Sequence, residues 1–129
     1  MLIEEYFQQI ENDIAECLFI IETEIKKDRR SYHIGIVEGK IRFTDHSVLH
    51  FIEFVNVKNV IEKYKYAYHF QNQELKLIFR YDMAPHHKSV NTFPHHKHIS
   101  SEHVVASSEP TLRQVLSEIE GYLEKKRLT

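Results

Sequence analysis

Val60-Ile-Glu-Lys-Tyr-Lys-Tyr-Ala-Tyr-His-Phe70 alternates with a period of two. Val60, Tyr64, Tyr66, Tyr68 and Phe70 point one way, and Ile61, Lys63, Lys65, Ala67 and His69 the other, the pattern of a half-buried β-strand. Gln71-Asn72-Gln73 supplies turn chemistry. Leu75, Leu77, Phe79 and Tyr81 then repeat the alternation, so the two runs read as a hairpin. Upstream, Phe19, Ile21 and Thr23 alternate, and the basic cluster Lys26-Lys-Asp-Arg-Arg30 reads as a turn. Tyr32–Thr44 reads as a strand with a kink at Gly35 or Gly39. Asp45-His46-Ser47 makes a tight turn, and Val48–Val57 follows as a further strand. Short connections without crossover helices predict an antiparallel meander of about five strands.

The flanks change period. Ile3, Phe7, Ile10 and Ile14 recur at three and four, as do Leu112, Val115, Leu116, Ile119 and Leu123, which predicts an amphipathic helix at each end. Ser107 or Ser108 is expected to cap the second helix, with Pro110 in its first turn. The expected fold is therefore α+β, one domain over residues 1–129, with an N-terminal helix, a C-terminal helix and a His-rich loop.

Composition narrows function. A net charge of −2 does not mark the whole molecule as a nucleic-acid binder, so any basic footprint is local. Cys17 is the only cysteine, which excludes an internal disulfide and a cysteine metal cluster. Glycines stand only at 35, 39 and 121, which leaves no glycine-rich phosphate loop. The start is acidic where a signal peptide needs a basic region, and the longest apolar run is Leu18–Ile21. A cytoplasmic protein with no membrane contact is expected.

Periodicity stops after Met83, where six of the ten histidines gather between His86 and His103. The stretch Arg80–His98 is where chemistry is expected. Imidazoles exchange protons near neutral pH, and two of them on opposite sides of a phosphodiester can act as base and acid. His86, His87, His95, His96 and His98 are the candidates, with Asp82 orienting one ring. Arg80, Lys88 and Lys97 are expected to bind phosphate, and Tyr81 and Phe93 to stack on unpaired bases. Local charge over residues 79–103 is +1 with neutral histidines, from three cations and the anions Asp82 and Glu102. Protonating all six would make it +7. His96 and His98 project to one side of an extended chain, so a His-X-His chelate is geometrically simple; no established zinc signature is present, and no metal or cofactor is expected. His33, His46, His50 and His69 read as sheet-surface or turn residues, Lys63 and Lys65 as a solvated face, and Cys17 as packing.

Phe79-Arg-Tyr-Asp-Met-Ala-Pro-His-His87, then Thr92-Phe-Pro-His-His-Lys-His98 and Ser108-Glu-Pro-Thr-Leu112, resemble the TumE-type toxin family of prokaryotic type II toxin–antitoxin systems. The order of helix, strand meander, histidine segment and helix is also similar. Met83 departs from the family pattern, where Asn is common. The resemblance implies a toxin neutralised by a cognate antitoxin, and it points to Arg80, Asp82, His86, His87, His95, His96, Lys97 and His98. The leading expectation is a metal-independent endoribonuclease acting on RNA. The alternatives are a non-catalytic toxin acting by protein contact and a metal-dependent hydrolase. An exposed sheet edge offers a route to a homodimer.

Overall fold

The computed structural model describes residues 1–83, 95–100 and 103–128. These form helix α1 (Ile3–Glu16), strands β1 (Ile20–Arg29), β2 (Ile34–Phe43), β3 (Val48–Asn56), β4 (Glu62–Gln71), β5 (Leu77–Met83), β6 (His95–His98) and β7 (Val104–Ala106), and helix α2 (Leu112–Leu128). The strands make one antiparallel sheet in sequence order, β1 to β7. The α+β class and the terminal helices are as expected. The strand count is seven rather than about five, because part of the histidine-rich segment is itself sheet. Its side chains are too polar to show a hydrophobic alternation, yet β6 pairs on both sides.

One face of the sheet carries the core. Ile3, Phe7, Ile10 and Ile14 of α1 and Leu112, Val115, Leu116, Ile119 and Leu123 of α2 are buried against Val37, Ile41, Leu49, Phe51, Tyr66, Tyr68, Phe70 and Phe79. The α1 helix approaches β2 at Gly35, where a Cβ would lie 2.7 Å from Ile3 and 2.8 Å from Phe7. Gly35 therefore admits a helix rather than kinking a strand.

Three local readings are corrected. The cluster Lys26–Arg30 is not a turn: β1 runs through Arg29. Its alternate cations reach α1, Lys27 bonding Glu11 at 2.6 Å and Arg29 bonding Glu4 at 2.8 Å. The α2 cap is Thr111, not Ser107 or Ser108. Its Oγ1 accepts the Gln114 N–H at 3.1 Å while Gln114 Oε1 accepts the Thr111 N–H at 2.9 Å, a reciprocal capping box. Lys63 is buried, not solvated. The register of β3 on β4 shifts between Phe54 and Val55, and this irregularity turns Lys63 inward while Tyr64 stays exposed.

The inward Lys63 joins a polar network under the helices. Glu53 is fully buried. It accepts hydrogen bonds from the hydroxyls of Tyr6 and Tyr68, the latter at 2.5 Å. Lys63 Nζ lies 3.7 Å from Glu53 and donates at 2.6 Å to Tyr68 Oη and at 2.6 Å to the Pro110 carbonyl. Burial pushes the Tyr6 and Tyr68 hydroxyls well above the usual tyrosine range, with Glu53 adding to the shift. Glu53→Ala removes the counter-charge of a buried ammonium and is expected to cost about 3–5 kcal/mol. A lower denaturant midpoint at unchanged slope is the corresponding measurement.

Candidate functional site

Strands β5 and β6 pair Arg80 with His98, Tyr81 with Lys97, Asp82 with His96 and Met83 with His95. Successive side chains on a strand point to opposite faces, so the motif divides between two environments. Arg80, Asp82, His96 and His98 share the face turned away from the helices. His96 Nε2 lies 2.6 Å and His98 Nε2 3.3 Å from the same Asp82 oxygen, Oδ1. Arg80 Nε donates to the other oxygen, Oδ2, at 2.8 Å. The two imidazoles meet edge to face, 4.9 Å between ring centres. Asp82 and His96 are buried and His98 is partly exposed. A carboxylate in this setting needs a charge partner, which the guanidinium supplies through a charge-assisted bond.

The remaining motif residues face the helices. His95 Nδ1 lies 3.0 Å from Tyr66 Oη, and the rings stack at 5.9 Å. Lys97 Nζ bonds Glu118 of α2 at 2.9 Å and sits 4.8 Å from the Tyr81 ring centre. Tyr81 donates its hydroxyl to Glu118 at 2.5 Å. Arg80 and Lys97, both expected to hold phosphate, thus lie on opposite faces of the sheet. His86, His87, Lys88 and Phe93 fall outside the described residues.

The cluster continues along the sheet. His69 on β4 pairs with Arg80 and His50 on β3 pairs with His69. Both are sheet-surface residues as expected, but they border the cluster. Beyond Arg80 the open face holds a depression of about 480 Å³ whose lining includes Lys40, His50, Ile52, Ala67, His69 and Arg80. The missed signal was the hairpin itself: folding β4 onto β5 about the turn at Asn72 sets His69 opposite Arg80. Cys17 offers no competing nucleophile, since burial and then Glu120 push its thiol up to about 12.

A family model of a toxin matches the chain over residues 7–125, from the second turn of α1 almost to the end of α2. The model is that of Toxin TumE, and the chain belongs to the TumE toxin family. It is accordingly the toxin component of a toxin–antitoxin system, with a cognate antitoxin as partner. No curated protein and no solved structure matched the chain. Among the described residues no helix is long and apolar enough to cross a membrane.

His69 gives a test of the geometry. Burial, and then the Arg80 guanidinium, lowers its pKa. The ring is therefore neutral, with Nδ1 accepting from Arg80 Nη1 at 3.3 Å and Nε2 donating to Gln71 Oε1 at 3.1 Å. Because the folded value is depressed, the unfolded chain takes up the proton first, near pH ~6.5. The stability contributed by this neutral ring is therefore lost as pH falls below that value. In a histidine NMR titration the His69 midpoint should lie below 6.5. Arg80→Ala should raise it part of the way, leaving the share due to burial.

Proposed function

We propose that this toxin is a metal-independent endoribonuclease whose proton transfers run through the histidines gathered on Asp82. One observation carries the reading. A single carboxylate contacts two imidazole nitrogens through one oxygen and a guanidinium through the other, on a face that opens into a depression. Asp82 orients the rings through its contact with both. The partly exposed His98 takes the proton of a ribose 2′-hydroxyl. The 2′-oxygen forms a bond to the adjacent phosphorus, and the bond from phosphorus to the 5′-oxygen breaks. The leaving 5′-oxygen takes its proton from a second imidazole, a role for which the motif offers His86 or His87. Arg80, at the boundary between cluster and depression, stabilises charge on the phosphoryl oxygens. The products carry 2′,3′-cyclic phosphate or 3′-phosphate ends.

The two faces of β6 make the test selective. His98→Ala and Asp82→Asn should each reduce cleavage of single-stranded RNA by about 10²–10⁴-fold. His95→Ala, on the helix side, should retain most of it. An all-deoxy strand of the same sequence should survive, and metal-stripped protein should cleave RNA with no metal added. Growth arrest on induction should follow the same order among equally abundant variants. Cleavage of the deoxy strand would exclude the mechanism. Arrest with intact RNA would assign toxicity to contact with a protein target instead.

A further inference from the structure

We propose that Asp82, His96 and His98 also form a site for a borderline divalent transition-metal ion such as zinc, and that the bound ion silences the toxin. The first half stands on donor geometry. The second rests on the nuclease reading, because zinc would draw off the two rings and the carboxylate on which that reaction depends.

Three donor atoms, one from each residue, lie within 4.8 Å of one another. Zinc takes imidazole nitrogen and carboxylate oxygen at about 2.0–2.2 Å. Two such donors at a tetrahedral angle therefore stand about 3.4 Å apart. His98 Nε2 and Asp82 Oδ1 are already 3.3 Å apart. His96 Nε2, at 2.6 Å from the same oxygen, needs to withdraw by less than an ångström. The backbone favours this set. His96 and His98 are alternate residues of one strand, and Asp82 is the register partner of His96 on the next, so the sheet presents all three on one face before any ion arrives.

The surroundings match a metal site in a second respect. A ligating carboxylate is held by an outer partner that fixes its orientation. Arg80 takes Oδ2 at 2.8 Å and leaves Oδ1 towards the two rings, which sets a monodentate carboxylate. Two nitrogens and one oxygen select against magnesium and calcium, which prefer all-oxygen shells. They suit zinc and its first-row neighbours. Three protein ligands also leave a zinc position for water.

The test uses the full chain without a histidine tag, stripped of metal and held at one fixed pH near ~7.5, because metal binding by histidine depends on pH. Calorimetric titration with zinc chloride should show one site per chain. Asp82→Asn and His98→Ala, each checked for folding by circular dichroism, should weaken it by more than about tenfold. His50→Ala, on the same face but outside the triad, should not. Cobalt(II) loaded into the wild type should give visible d–d absorption that Asp82→Asn loses. Wild-type affinity in both triad variants, or no stoichiometric binding, would overturn the site. RNA cleavage is then followed with and without one equivalent of zinc. Cleavage that bound zinc fails to slow would overturn the silencing. Stoichiometric binding by a chain that cleaves no RNA even when stripped of metal would uphold the ion site and remove both the nuclease reading and the silencing that rests on it.

Discussion

A carboxylate with no access to water holds the layers of this protein together. Glu53 stands on β3, Tyr68 and Lys63 on β4, Tyr6 on α1, and the Pro110 carbonyl one residue before the cap of α2. Hydrophobic burial is non-directional and would let both helices slide across the sheet. The bonds to Glu53 and Lys63 allow one position for α1 and one entry point for α2. A half-satisfied network of this kind is worse than an apolar core, so the four side chains and the carbonyl depend on one another. The irregularity in β3–β4 pairing belongs to the same device, since without it Lys63 would face solvent.

With both helices fixed on one side, the candidate cluster lies on the other side of the sheet. The face turned away from the helices carries Arg80, Asp82, His96 and His98, and beside them His69 and His50. Each is placed by strand register rather than by a flexible loop. Arg80 occupies the hinge position in this arrangement, bonded to Asp82 on its own strand and within reach of His69 on β4. Burial and then its charge lower the pKa of His69. The helix face meanwhile absorbs Tyr81, His95 and Lys97 into contacts with Tyr66 and Glu118, which anchor β5 and β6 to the body of the protein.

Both helices were legible because their apolar stripes recur at three and four, and β2 to β5 because their alternation is apolar against polar. The strands at the end of the sheet were not. His95–His98 and Val104–Ala106 are four and three residues long, and the former has no apolar member. Their pairing shows only once β5 is in place. Lys63 was misjudged because a bulge changes which face a residue occupies, and period-two counting assumes there is none. The Thr111–Gln114 cap was present in the sequence as T-x-x-Q but lay behind a nearer serine and proline. The candidate site was legible in the sequence only as a stretch of chain. Its internal division was not, because Arg80 and Lys97 look like a matched pair of cations until the register sets them on opposite sides.

That division means His95-His96-Lys97-His98 is two messages written in alternating letters. The letters at 96 and 98 are read with 80 and 82, and those at 95 and 97 with 66 and 118. Neither message tolerates a change of phase. Sliding β6 by one residue along β5 would put a lysine and a histidine meant for the helix side onto the carboxylate, and would send the two rings that contact Asp82 into aromatic packing. Structural anchoring and the proposed chemistry thus share four consecutive positions, and selection on either one preserves the frame in which the other is read.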